Sequence, residues 1–293
     1  MALALRLLCL VLLTLTWVGA EAPAISTHKV LRCLRDRTSQ LETFQSAVTR
    51  FRHPTSGYRV DLVSVVHVGP ASYYKRLNQQ LRSYDAVLYE LVADGSQGRP
   101  VPLPGEERGD NPLSLVQSGL SNLLGLDFQL DHLDYSPSNF VHADISPEEF
   151  QRSMDKRGES FMQILLNSLQ KGDVDSPEAE KELAQVNLFA ALSGNPGPKD
   201  RMHLRRGMAL LFSNPDQISE LLEGPGGGTL LSVRNQKALG VMRQQLKAGK
   251  KRLAIFYGAA HMKDLEQRLV RDFGMRFVDQ IWLPAWDLRL PTR

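Results

Sequence analysis

The chain has 293 residues, 42% of them hydrophobic and 23% charged, a balance that excludes intrinsic disorder. Its 35 basic and 32 acidic residues leave a net charge of +3 with no long basic run, which argues against a nucleic-acid partner.

The first segment reads as a targeting signal. Arg6 precedes an apolar run from Leu7 to Val18, and Val18-Gly19-Ala20 supplies small residues before Glu21. The expectation is a signal peptide over 1–20 and a secreted or periplasmic mature chain over 21–293. An uncleaved N-terminal anchor is the alternative. No later stretch has the length of a transmembrane helix, so no integral span is expected after signal removal. Cys9 leaves with the signal, and a lone Cys33 cannot form an internal disulfide. Arg32 and Arg35 would favour a thiolate at Cys33, but Val30, Leu31 and Leu34 favour a structural role.

Residues 21–46 read as a lead-in with a short polar helix. Ala47–Phe51 and Tyr58–Val66 read as strands around the turn His53-Pro54-Thr55-Ser56-Gly57, the second one apolar enough to be buried on both faces. Gly69-Pro70 ends it, and a helix over 71–83 leads to the strand Asp85–Leu91. This βαβ unit predicts parallel strands, with the strand of Glu90 expected beside that of His67. Residues 92–112, rich in Pro and Gly, read as a long surface loop or lid. A helix is expected over 113–126 and a short strand over 138–143. Ser146-Pro147-Glu148-Glu149 is a helix start, opening an all-helical insertion over 146–224 with helices at 147–156, 158–171, 177–192, 199–212 and 215–223. A long helix over 229–248, a strand over 252–257, a helix over 262–273 and a last strand over 275–282 follow. The fold class expected is α/β, a split, mostly parallel central sheet flanked by helices, with the helical insertion in the middle.

Two of the seven histidines share a context. His67 and His261 each follow a buried strand and precede a helix, and ligands of open parallel sheets bind at strand carboxyl ends. Glu90 ends a neighbouring strand, where a carboxylate among apolar residues needs a partner. Two imidazoles and a carboxylate suit a divalent metal, and Arg234 and Asn235, on the helix feeding the His261 strand, suit an anionic group. Asp144 is a further strand-end carboxylate. The alternative for Glu90 is an ion pair with a neighbouring arginine, Arg234 being one candidate. His28, His53, His132 and His203 read as structural or exposed, and His142 as structural or as a supporting partner. No HExxH, GxSxG or P-loop lysine is present.

The pieces SVVH (64–67), VLYEL (87–91), RN (234–235) and YGAAHM (257–262), in this order, resemble the Tiki/TraB/GumN group. That group pairs a strand ending in GxxH with a later strand ending in Glu, an Arg-Asn or Arg-Asp helix and a second GxxH. The resemblance implies a fold like that of the erythromycin-esterase and ChaN-like proteins. It also implies a metallopeptidase activity supported by manganese or cobalt, directed at a peptide or protein substrate. Carried over, His67, Glu90 and His261 become the metal and catalytic set and Arg234 and Asn235 the supporting pair. Gly258 is the glycine of the second motif, and Ser64 stands where the first motif has glycine, the two being cofactor-side positions.

The reading that follows is an exported metal-dependent hydrolase. The alternatives are a ChaN-like protein binding haem or metal without catalysis, and a degenerate member acting as an interaction scaffold through the 92–112 loop and the insertion. Oligomeric state is not legible.

Overall fold

A computed structural model describes residues 27–96, 98–102, 121–159, 176–213 and 228–290. The signal segment, residues 97 and 103–112 of the expected loop, the first eight residues of the helix expected over 113–126, and nearly all of the helices expected at 158–171 and 215–223 lie outside them.

In chain order the elements are β1 (Leu31–Arg35), β2 (Leu41–Arg52), β3 (Arg59–Val65), β4 (Val68–Gly69), α1 (Ala71–Leu81), β5 (Ala86–Tyr89), β6 (Asp127–Phe128), α2 (Gln129–His132) and β7 (Phe140–His142). Then come α3 (Pro147–Arg157), α4 (Pro177–Leu183), α5 (Leu188–Leu192), α6 (Pro198–Phe212), a π-helical turn (Thr229–Val233), α7 (Arg234–Lys247), β8 (Arg252–Gly258), a 3₁₀ turn (Ala259–His261), α8 (Met262–Phe273) and β9 (Arg276–Asp287).

The architecture is α/β, a mostly parallel central sheet flanked by helices. Seven strands form one sheet in the order β1-β2-β3-β8-β5-β7, with β9 along the other edge of β2. The strands β3, β8, β5 and β7 run parallel, while β1, β3 and β9 are antiparallel to β2. β8 lies between β3 and β5, so the strands of the first βαβ unit are parallel but not neighbours. The insertion separates β7 from β8 in the chain, and its described residues contain helices and no strand.

Further expectations need correcting, among them the single helix over 177–192, which is broken into α4 and α5. The lead-in holds β1 and the front of β2 instead of a polar helix. Phe44 to Thr49 are all buried, because both edges of β2 are paired and its polar Gln45, Ser46 and Thr49 are carried inside with it. The last strand runs on to Asp287, with Pro284 tolerated beside a bulge opposite Phe44 and Gln45. The helix expected over 229–248 begins as a π turn.

Local signals otherwise act as the chemistry requires. Ser146 caps α3 by accepting the Glu149 N–H at 3.1 Å, and Glu149 returns a bond to the Ser146 N–H at 3.0 Å. α1 buries Tyr73, Tyr74, Leu77 and Leu81 on one face of the sheet. α7 and α8 cover the other with Ala238, Leu239, Met242, Leu265 and Leu269. Among the described residues no helix is long and apolar enough to cross a membrane.

Candidate functional site

Three adjacent parallel strands end together, and their ends carry the site. β3 leads to His67, β8 to Gly258 and the 3₁₀ turn of His261, and β5 to Glu90. The register sets Val65 beside Gly258, and the Glu90 N–H donates to the Phe256 carbonyl at 3.2 Å. The sheet thus brings together residues almost 200 positions apart in the chain.

Glu90 is the centre. Its Oε1 accepts from Arg234 Nη2 at 2.7 Å and lies 3.3 Å from His261 Nε2. Its Oε2 accepts the Gly258 N–H at 2.7 Å. Burial acts to raise the Glu90 pKa, but Arg234 and the two histidines outweigh it and hold the carboxyl well below its ordinary range.

Gly258 explains its own identity. A Cβ there would stand 2.7 Å from His67 Nε2 and 3.4 Å from Glu90 Oε2. The imidazole and the carboxylate occupy the space that any other residue would fill.

Both rings are held by side-chain amides. His261 Nδ1 lies 2.7 Å from Asn235 Oδ1. The Asn235 amide nitrogen donates to Asp264 Oδ2 at 2.8 Å and to the His261 carbonyl at 3.3 Å, so its oxygen must be the atom facing the ring. His261 therefore carries a proton on Nδ1. His67 Nδ1 lies 3.0 Å from Gln129 Oε1, while the Gln129 amide nitrogen donates to the Tyr135 hydroxyl at 2.7 Å. In both rings Nε2 is the atom left to face Glu90 and Gly258.

Arg234 spends its donors inside the protein. Nε and Nη2 donate to Asp144 at 2.6–3.2 Å, Nη2 also to Glu90, and Nη1 to the Leu230 carbonyl at 3.3 Å. The guanidinium is buried and opposed by two carboxylates, which leaves the trio with one excess negative charge. Desolvation works against the Arg234 charge, and Asp144 and Glu90 raise its pKa far beyond solution in compensation. The Tyr257 hydroxyl donates to the Ala143 carbonyl at 2.7 Å and ties β8 to the segment bearing Asp144.

Of the residues singled out by sequence, His67, Glu90, His261, Arg234, Asn235, Gly258 and Asp144 come together. The ion pair of Glu90 with Arg234 is real, and it lies inside the cluster. Ser64 is fully buried on β3 beside Tyr257, and its Oγ has no hydrogen-bond partner among the described residues. His142 donates from Nε2 to the Leu91 carbonyl at 2.7 Å. His28 and His203 pair with Glu266 and Glu182 at 2.6 and 2.8 Å. Gln129 was missed by sequence reading, since a two-residue strand and a four-residue helix leave no periodic signal around it.

No model of a protein family matches the chain, and neither a curated protein nor a solved structure does.

Proposed function

We propose that the chain is an exported metal-dependent hydrolase of the Tiki/TraB/GumN kind, acting on a peptide or amide bond. The observation that carries this reading is the contact between His261 Nε2 and Glu90 Oε1. With the ring proton on Nδ1, a bare Nε2 lone pair would face a carboxylate and repel it. The contact is favourable only with positive charge between the two atoms, either a proton on Nε2 or a metal cation. The excess negative charge of the Glu90–Arg234–Asp144 trio points the same way.

The donors fit a divalent cation: two imidazole Nε2 atoms, both oriented through Nδ1, and one carboxylate kept ionised by Arg234. Among the described residues no three His, Cys, Asp or Glu side chains already stand at the separations of a closed metal shell, so the fit lies in the donor chemistry. His67, Glu90 and His261 would hold the ion, manganese or cobalt by the resemblance. When bound, it would lower the pKa of a water and polarise the scissile carbonyl.

The chain's own residues have separable tasks. Arg234 positions Glu90 and keeps it charged, so it is not free to clamp substrate. Asn235 and Gln129 fix the ring tautomers. A carboxylate held this far below neutrality is a poor proton acceptor. A haem is less well served, because both Nε2 atoms point at Glu90 and Gly258 instead of an open axial position.

The test is turnover of a peptide library by the purified protein with manganese, with cobalt and with EDTA. The expected result is metal-dependent cleavage lost in His261→Ala and in Glu90→Gln. Equal inactivity of wild type and variants in every condition would overturn the hydrolase reading.

A further inference from the structure

At the end of the sheet opposite the histidines, four arginines stand in a row. Arg276 on β9 pairs in register with Arg52 on β2, Arg52 with Arg59 on β3, and Arg59 with Arg252 on β8. Residues paired in register leave the same face of a sheet. Arg252 donates to the Ser83 carbonyl at 2.6 Å, and Arg59 grips Asp61, which also accepts the Tyr84 hydroxyl. The face is therefore that of α1. At the usual strand spacing the row is about 14 Å long.

Like charges directly opposite on neighbouring strands repel. The adjoining layer avoids this: Arg50 lies between Asp279 and Asp61, at 3.2 and 3.9 Å. In the row, Arg59 is matched by Asp61 and Arg252 meets a carbonyl. Arg52 and Arg276 are exposed and form no hydrogen bond or ion pair with the described residues. Packing gives no reason for adjacent unmatched arginines at solvent-exposed strand ends, where an opposite-charge pair would be stabilising.

We propose that this row is a binding site for a linear sulfated polysaccharide. Guanidinium forks take sulfate oxygens in pairs, and a file of them one strand apart suits a chain carrying an anionic group on successive sugar rings. Successive phosphates of a polyphosphate lie closer together than neighbouring strands. A membrane would be met by a plane of charge, whereas the exposed carboxylates of Asp279 and Asp85 border this line. A single-stranded nucleic acid would use aromatic platforms; the exposed Phe277 edges against Phe51 on the opposite face. The site is remote from the histidine cluster, and its test is independent of hydrolysis.

The experiment is fluorescence anisotropy of a labelled heparin oligosaccharide titrated with the full chain at two salt concentrations. Wild type binds more weakly as salt rises. Arg52→Ser/Arg276→Ser binds at least about tenfold more weakly than wild type. Arg37→Ser/Lys199→Ser, which removes the same charge elsewhere, binds as wild type does. Unchanged melting temperatures show that the changes act on the surface, and the single variant Arg276→Ser gives a smaller loss in the same direction. The proposal is overturned if both double variants weaken equally or if neither does. It is also overturned if polyphosphate or single-stranded DNA of equal charge competes as well as unlabelled heparin, or if phosphatidylglycerol vesicles bind the protein and heparin does not.

Discussion

His67 and His261 each follow a buried parallel strand and each rests Nδ1 on the oxygen of a side-chain amide, but the two amides are anchored to different bodies. Asn235 is wholly buried in the first turn of α7, and its amide nitrogen is held by Asp264 of α8. Gln129 sits in a four-residue helix, joined to His67 by its N–H to the His67 carbonyl at 2.9 Å and by the small β4–β6 pair. The first mount belongs to the packed helical layer; the second is a local clip. Changes near His261 should therefore register as lost stability, and changes near His67 as lost function in a folded protein.

The largest effect tests what the two mounts share. Arg234→Met leaves Asp144 buried without its cation and removes one partner of Glu90, a destabilisation of about 3–5 kcal/mol. Denaturant melting at neutral pH measures it. The acid branch adds a signature. A carboxyl depressed in the folded state contributes stability that is complete above its unfolded value, near 4.5, and fades as pH falls through the depressed value. Without Arg234 the Glu90 carboxyl titrates higher, closer to its unfolded value, so the variant loses less stability than wild type as pH falls below about 4.5. An unchanged acid branch would mean that Arg234 does not hold Glu90.

Gly258→Ala is the next largest and reads where the mounts meet. The added methyl must displace His67 Nε2, since 2.7 Å is far inside contact distance. Displacing a reacting group by about 1 Å lowers rates about 100-fold. The comparison of mounts adds that His67 yields, being on the clip, while His261 stays. Imidazole NMR signals that shift for His67 and not for His261 would bear this out; the reverse would break it.

Gln129→Leu isolates the clip. The expected result in metal-free protein is a His67 ring that loses its preference for a proton on Nδ1, seen in long-range ¹H–¹⁵N spectra. Manganese affinity should fall about 10- to 100-fold, with little change in melting temperature. Gln129→Glu, which keeps an acceptor, restores both. A melting loss as large as that of Asn235→Leu would erase the distinction between the mounts.

These contrasts also show what a sequence can disclose. His67, Glu90 and His261 were legible because strand-end placement follows from local pattern: apolar runs, then Gly or Pro, then a helix. Arg234 was legible as a cluster member, but its use was not, since only geometry shows its donors consumed by Asp144 and Glu90. Gln129 and the arginine row were not legible for one shared reason. Both depend on pairing register between segments distant in the chain, β4 with β6 and β9 with β2, β3 and β8, and a net charge of +3 conceals four arginines brought level by that register. The front of β2 was misread because burial on both edges overrode its polar composition.

The smallest effect concerns the motif residue that departs from its counterpart. Under the proposed resemblance Ser64 takes the place of a glycine, and Gly258 shows what glycine is for when a ring and a carboxylate press on it. Ser64 faces no such demand: it is buried near the end of β3 beside Tyr257, with a hydroxyl that has no hydrogen-bond partner among the described residues. Removing an unsatisfied buried hydroxyl relieves its desolvation, so Ser64→Ala should be neutral or stabilising by up to about 1 kcal/mol in urea melts. Ser64→Gly removes the same hydroxyl but adds backbone freedom in a strand, which offsets the gain by about 0.5–1 kcal/mol. Neither change should alter activity by more than about twofold, because nothing within hydrogen-bonding reach links Ser64 to Glu90 or either ring. A large gain of activity in Ser64→Gly would show that the first motif needs its glycine for the same close approach as the second, and the two mounts would then be more alike than their geometry implies.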